Sequence, residues 1–453
     1  MGQKAGPKTN RPFLFKVFKV LLRYNMTIFL IFGLILVLAA FVAWPEISLY
    51  VLAFFLPLTG WAIFFHGLVT PFVDLVAITA LTAFVIRLAY QLLFKKETTT
   101  KLKWPLFLPF AIFILINFLA SLFSAQVPMS LWYIARWLLL LYFAYIFLPY
   151  NLITNGKILK RTIIALVLSS LLVLASGYLS LYGQDWRDSF FRLKSLAIFG
   201  VFPFGENQNL VAEFLNVGVF LILTIKELTK DERSKRIWGL AFVFASLGLI
   251  LTFSRSGWIT LLLQLIIYFG YRLKNKVSRT TMILAALGLL LILSPLLWKM
   301  NQLQKENVSS TDNRWLLTTI AWQAFIDKPY LGYGSGEFTN LVADNIRFTA
   351  KYGAPLDSHG MLQKVAAETG IFGLAAWLFI LIYLIRTWTQ ALKRYYHNNT
   401  WLLPLIMAGG GGLFFQFFNT SYYQGKVWLP IVIGLAAIRL LEKKYGRAPI
   451  VKN

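Results

Sequence analysis

The sequence predicts an all-α polytopic membrane protein of about 12 transmembrane helices, with a large, partly helical loop on its outer face. Three observations carry this. The composition is 58% hydrophobic with a mean hydropathy of +0.66, far above a soluble globule. Apolar windows of spanning length recur along the chain, and one long polar interval, 299–370, interrupts them near the end. The basic residues are confined to alternate connections.

The windows run at 26–43, 47–65, 72–94, 104–123, 131–148, 162–182, 209–225, 237–253, 256–270, 280–298, 371–388, 400–418 and 427–441. Most are near the ~20 residues a helix needs to cross the hydrocarbon core. The arm at 1–25 and the loop at 95–103 are both basic, so an even number of crossings separates them. One of the first two windows is therefore expected to be short, tilted or re-entrant, which Pro45, Pro57 and Gly60 permit. The chain divides into a basic cytoplasmic arm (1–25), nine or ten transmembrane helices with an outer loop at 183–208 (26–298), the large outer loop (299–370), the last three helices (371–441) and a basic cytoplasmic tail (442–453). The start is basic but leads into a full-length span without a small-residue cleavage site, so no cleaved signal is expected.

The net charge of +26 invites a nucleic-acid reading. Sorting the charges by connection removes it, because seven short segments that fall on one side hold 30 of the 44 Lys and Arg and only five acids. That is the positive-inside pattern of a cytoplasmic face, with both termini inside. The segments 183–208, 254–256 and 419–426 then share the outer face with the long loop. Zero cysteines exclude disulfides, thiolate metal sites and cysteine nucleophiles.

The long loop reads as folded rather than disordered, since connections beyond ~15 residues are mostly functional or disordered and this one carries structure signals. An amphipathic run (Trp315, Leu316, Ile320, Trp322, Phe325), a glycine turn (Leu331 to Gly336) and a helix-like segment closed by Gly370 make it a cap on one membrane face. GYGSGEF lacks a Walker lysine and reads as a tight turn joining two loop helices. Gly409 to Gly412, inside an apolar window, reads as close packing.

Outer-face arginines are the first candidates for chemistry. Arg255 sits at the junction of two spans, Arg192 and Arg314 lie in other outer intervals, and Arg136 lies in the span beginning at Leu131. Planar guanidinium forks bind phosphate bidentately, so such a set suits an anionic lipid headgroup or lipid diphosphate. Of the three histidines, His397 falls in an inner loop and His66 ends a span beside a glycine. His359 follows Asp357 and Ser358 on the outer loop, with an ordinary pKa near 6.5 that suits proton abstraction. The outer acids show no metal-ligand spacing, so no metal and no cofactor is expected.

Taken in order, four outer-face segments resemble the bacterial O-antigen ligase and O-antigen polymerase superfamily. They are Arg192 followed by GENQNLVA (205–212), TFSRSGW (252–258), NRWLLTTIAWQAFIDKPYLGYGSGEF (313–338) and SHGMLQKVAAETGIFGL (358–374). Two positions depart from the pattern: Gln208 replaces its proline, and Gly360 replaces the Asn or Ser after its histidine. The resemblance implies a GT-C-like membrane glycosyltransferase of the cell envelope, acting in polysaccharide or lipopolysaccharide biosynthesis at the inner (cytoplasmic) membrane with its site facing outward. It implies a glycan donor on undecaprenyl diphosphate, a glycan, lipid or protein acceptor, inversion, and no metal. In that frame His359 is the catalytic base, Arg192, Arg255 and Arg314 bind the diphosphate, and Asn209 and Glu368 position the acceptor or hold the structure. A repeat-unit polymerase is the alternative. A lipid-linked oligosaccharide flippase fits less well, because the polar candidates sit at outer ends rather than at the midplane of repeated halves.

Overall fold

The computed structural model describes residues 33–65, 68–95, 101–182, 184, 191–273 and 310–446. The basic arm at 1–25, His66, the window at 280–298, the start of the long loop at 299–309 and the last residues of the tail lie outside these. What is described is an all-α polytopic membrane protein with one small hairpin. Among the described residues, six helices are by length and composition long and apolar enough to cross a membrane: Phe72–Phe94, Val127–Leu152, Gly156–Ser180, Gln208–Leu228, Glu232–Leu251 and Met361–Asn398. Shorter apolar helices accompany them at Gly33–Ala43, Pro45–Phe55, Phe107–Leu122 and Leu402–Phe418.

In chain order, α1 (Gly33–Ala43) meets α2 (Pro45–Phe55) at Trp44, whose backbone is non-helical. Proline suits the first position of α2, where its missing N–H has no partner to lose. The window at 47–65 is not one spanning helix: α2 stops at Phe55, and the chain returns through an antiparallel hairpin, β1 (Ala62–Phe65) with β2 (Leu68–Pro71). Gly60 fixes that return. Its N–H donates to Pro203 O at 3.0 Å, and a Cβ there would lie 1.9 Å from Phe202 O.

There follow α3 (Phe72–Tyr90), α4 (Phe107–Leu122), α5 (Val127–Leu152), α6 (Gly156–Ser180), α7 (Gln208–Leu228), α8 (Glu232–Leu251) and α9 (Arg255–Arg272). Side-chain oxygens of Asn155, Asn207, Asp231 and Ser254 accept the first free N–H groups of α6 to α9, which is why these helices start where they do. The central α7 is 83% buried and packs on α6, α8, α9 and the later helix Leu402–Phe415, whereas α8, at 17%, is peripheral.

The cap consists of α10 (Ser310–Asp327), α11 (Phe338–Ala343), α12 (Ile346–Tyr352) and the first turns of α13 (Met361–Tyr395). It has its own core of Leu317, Ile320, Ala321, Ala324, Phe338, Val342, Phe348 and Ala367. The expected amphipathic run is partly corrected: Ile320 points in, but Trp315 (73% exposed) and Trp322 (62%) point out. The buried stripe is instead Leu317, Ile320, Ala321 and Ala324, whose small residues let neighbouring backbones approach. Two helices, α14 (Leu402–Phe415) and α15 (Gly425–Tyr445), complete the bundle. The glycines of α14 do not break it. Ideal Cβ atoms on Gly409, Gly411 and Gly412 would press on Ile431, Gln264 and Val217, so they serve close packing.

The glycine turn does more than join two cap helices. Gly332, Gly334 and Gly336 all have positive φ, and Gly370 breaks α13 at φ 61, ψ −159 without ending it. These two irregular stretches lie backbone to backbone: Tyr333 N donates to Ala367 O (3.1 Å), Gly334 N to Glu368 O (2.8 Å) and Ile371 N to Pro329 O (2.8 Å). A Cβ on Gly332 or Gly370 would lie 2.4 Å from Glu368 C or 2.3 Å from Tyr330 O. Only glycine fits such backbone angles and distances. The turn also docks on α4 and α5, with Ser335 Oγ donating to Asn117 Oδ1 (2.7 Å) and Ser124 Oγ to Glu337 Oε1 (2.6 Å).

Candidate functional site

The outer intervals separated in sequence meet at one end of the bundle. Ser254 is the N-cap of α9, and its hydroxyl donates to Asn209 Oδ1 at 2.7 Å, which fastens the start of α7 to the α8–α9 turn. Gln208 is the first residue of α7, a position where proline and glutamine are both tolerated, so its departure from the family pattern leaves the helix start intact. Arg255 opens α9 directly beyond this cap, and Phe253 just before it takes a left-handed conformation rare for a bulky residue.

Opposite stands α10, with Arg314 near its start. Burial lowers the Arg314 pKa, and the charge of Arg255 lowers it further. Two guanidiniums therefore face the same space. The strap at 357–360 carries His359, on which the Arg314 charge acts. Ser358 Oγ donates to Gly360 O (2.9 Å) and accepts from Gly360 N (3.2 Å), forming the turn that presents the imidazole. Gln363 Nε2 reaches Thr318 Oγ1 of α10 at 2.8 Å and sets the spacing between strap and helix. At Gly360, a Cβ would press on Gln363 and lie 3.3 Å from Phe417 O, so close approach to the end of α14 explains the glycine after the histidine.

His359 is half-buried. Burial lowers its pKa below the ordinary value, Arg314 lowers it further, and the Asp357 carboxylate opposes both. A neutral imidazole at neutral pH follows, the form able to accept a proton. Asp357 is itself engaged: its Oδ1 takes Lys364 Nζ at 2.6 Å, and its Oδ2 accepts from Tyr423 OH at 3.3 Å. Lys364, 2% exposed, also pairs with Glu368 Oε1 at 3.4 Å, and that oxygen accepts from Phe338 N at 3.2 Å. Glu368 thereby joins the glycine turn to the buried lysine.

The structure brings Arg255, Arg314 and His359 together. Arg192 lies in the segment before α7, held through its backbone. Its backbone is clasped by Gln184 (3.2 and 2.8 Å), Leu193 N donates to Leu251 O at 2.8 Å, and burial is the cause of its lowered pKa. Sequence reasoning missed Lys364, Asp357 and Tyr423 as a unit, and it missed the buried pair in which Lys426 Nζ donates to Glu213 Oε2 at 2.8 Å. The available signal was a charge inside an apolar helical run, which is functional or structural by default. Among the described residues, no group of three or more His, Cys, Asp or Glu gathers as a metal site would require.

Residues 240–378 match the O-antigen ligase family model, an interval that holds Arg255, Arg314, His359 and Glu368 and leaves out Arg192 and Asn209. No curated protein matches the sequence. Among solved structures, the chain resembles one described as "Structural coordination of polymerization and crosslinking by a peptidoglycan synthase complex", at 15% identity and a TM-score of 0.44, covering 77% of this chain and 100% of that one.

Proposed function

We propose that this chain, whose residues 240–378 carry the O-antigen ligase match, is a membrane glycosyltransferase that moves a glycan from undecaprenyl diphosphate to an acceptor hydroxyl at the outer face of the cytoplasmic membrane. In this reading the chain crosses the bilayer about twelve times with both termini inside, in a GT-C-like arrangement, and 299–370 is the catalytic loop. What supports the reading is the setting of His359, a half-buried imidazole whose pKa burial and the Arg314 charge both lower, with Arg314 in turn under the charge of Arg255.

The chemistry is a single displacement. The acceptor oxygen attacks the anomeric carbon while its proton passes to His359, and the bond from that carbon to the diphosphate oxygen breaks on the opposite side. Configuration inverts. Negative charge developing on the departing lipid diphosphate is met by Arg255 and Arg314, with Arg192 at the margin, so guanidiniums supply the stabilisation and no metal is needed. His359 then returns its proton to solvent. Ligase and repeat-unit polymerase share this step and differ only in the acceptor; the matched family favours the ligase.

The test is reconstitution with a polyprenyl-diphosphate glycan and candidate acceptors in the presence of a chelator. Product of inverted anomeric configuration is expected, insensitive to EDTA and lost with His359→Ala. Full turnover by that variant removes the base, and loss of transfer on chelation removes the metal-free mechanism.

A further inference from the structure

Beneath the cap, on the side formed by α3, α5 and the start of α15, lies a chamber that the transfer step above does not use. Arg136 lines it. This residue sits within a π-helical turn of α5, Ile134–Leu139, roughly 14 Å along the helix from Val127. Such turns are rare and concentrate at functional sites. A guanidinium at that depth in a membrane is unfavourable unless it is paired or faces a polar cavity.

Its pairing is weak. The nearest carboxylate oxygen, Asp74 Oδ2, is 3.9 Å away, and the other oxygen of Asp74 already accepts from Tyr145 OH at 2.8 Å. The Trp137 ring lies 4.5 Å from the guanidinium carbon. No hydrogen bond runs from Arg136 to any described residue, so its forked donors are unspent. The buried pair nearby is quite different: Lys426 and Glu213 meet at 2.8 Å, and Gln416 and Asn419 complete the carboxylate at 2.8 and 2.9 Å.

Two cavities, of about 300 and 60 Å³, meet at Arg136 and Trp137. The larger is walled by Trp132, Tyr133 and Trp137, with Glu337 and Asn340 of the cap at its edge. Tyr423, on the smaller, sets its ring 4.9 Å from Trp137 and 5.8 Å from Tyr133. Its hydroxyl is the one that reaches Asp357, two residues from His359. The chamber therefore adjoins the imidazole's own strap. Aromatic faces suit the apolar C–H face of a sugar ring, planar polar groups suit its hydroxyls, and a forked cation suits an anion.

We propose that this chamber is a carbohydrate subsite that takes a sugar bearing an anionic group, carboxylate or phosphate, and that Arg136 reads the anion. The assignment rests on the glycosyl-transfer reading and names a substrate feature its active centre selects. It is tested by direct binding to the full chain in nanodiscs of zwitterionic lipid, using tetragalacturonate, galactose 1-phosphate, neutral maltotetraose and inorganic pyrophosphate as probes.

Tetragalacturonate or galactose 1-phosphate should bind at least ~10-fold more tightly than the neutral tetrasaccharide, and the tighter of the two identifies the source of the anion. Arg136→Ala should weaken that probe by roughly 10- to 100-fold, Arg136→Lys less, and His359→Ala not at all. Equal binding of charged and neutral sugars, or wild-type affinity in both Arg136 variants, overturns the proposal. So does pyrophosphate displacing the sugar probe in an Arg136-dependent way, which would reassign the chamber to the diphosphate. Because the readout is binding, Arg136-dependent sugar affinity in a protein that fails every transfer assay supports the subsite and counts against the transfer reading alone.

Discussion

Two charge clusters near one end of the bundle differ in the company they keep. Glu213 is met by Lys426, Gln416 and Asn419 at 2.8 to 2.9 Å, a closed arrangement with its lone pairs satisfied. Arg314 faces another guanidinium, Arg255, and a histidine whose pKa it lowers. The first cluster holds helices together. The second puts Arg314 under the charge of Arg255 and His359 under that of Arg314, a concentration of positive charge that suits an anion. Charge alone does not separate structural from functional residues; the sign of the neighbours does.

The comparison can be broken from either side. Glu213→Gln leaves the Lys426 ammonium buried without its carboxylate and should cost about 3–5 kcal/mol of stability, read as earlier thermal unfolding in detergent. Adding Lys426→Met should recover much of it. If Glu213→Gln instead unfolds like wild type and abolishes transfer, the two clusters have exchanged roles. His359→Ala should do the opposite, lowering transfer about 10²- to 10⁴-fold while unfolding stays near wild type.

Arg314→Gln should raise the donor KM by roughly 10- to 100-fold and leave the acceptor KM nearly unchanged, as loss of a charged hydrogen bond to diphosphate requires. Removing one of two facing cations should not lower the unfolding temperature. Gly370→Ala sharpens the contrast between cap and bundle. It places a side chain at φ 61 and against Tyr330 O, and should cost about 1–3 kcal/mol. Proteolysis should reach the cap in that variant before the bundle.

Much of the fold was legible because membrane helices are long apolar runs and their connections sort by charge. Charge parity and Pro45, Pro57 and Gly60 pointed to a short or re-entrant window among the first two, and α2 does end at Phe55; which window it is and the contact of Gly60 with Pro203 that fixes the return are tertiary. In α10, hydrophobicity pointed to Trp315 and Trp322, whereas packing selected the smaller Leu317, Ala321 and Ala324. His359 and Arg314 could be found from residue type and position. The Tyr423 to Asp357 contact and the lock between Gly332 and Glu368 could not, because each joins segments distant in sequence through geometry that no local pattern encodes.

The smallest expected effects concern the imidazole. Asp357 raises the His359 pKa and Arg314 lowers it, so removing each charge should move the acid limb of the pH profile in opposite directions. Asp357→Asn should shift it to lower pH, provided the loss of the Lys364 contact leaves the strap in place, which unfolding temperature checks.

The central claim, a neutral base kept beside an arginine-bound diphosphate, is met most directly by the pH dependence of kcat/KM in wild type and Arg314→Gln. The account predicts that activity rises with pH through a group titrating below 6.5 in the wild type, and that this limb moves to higher pH when the Arg314 charge is removed. Superimposable limbs in the two proteins, or a wild-type limb above the ordinary histidine range, would contradict it.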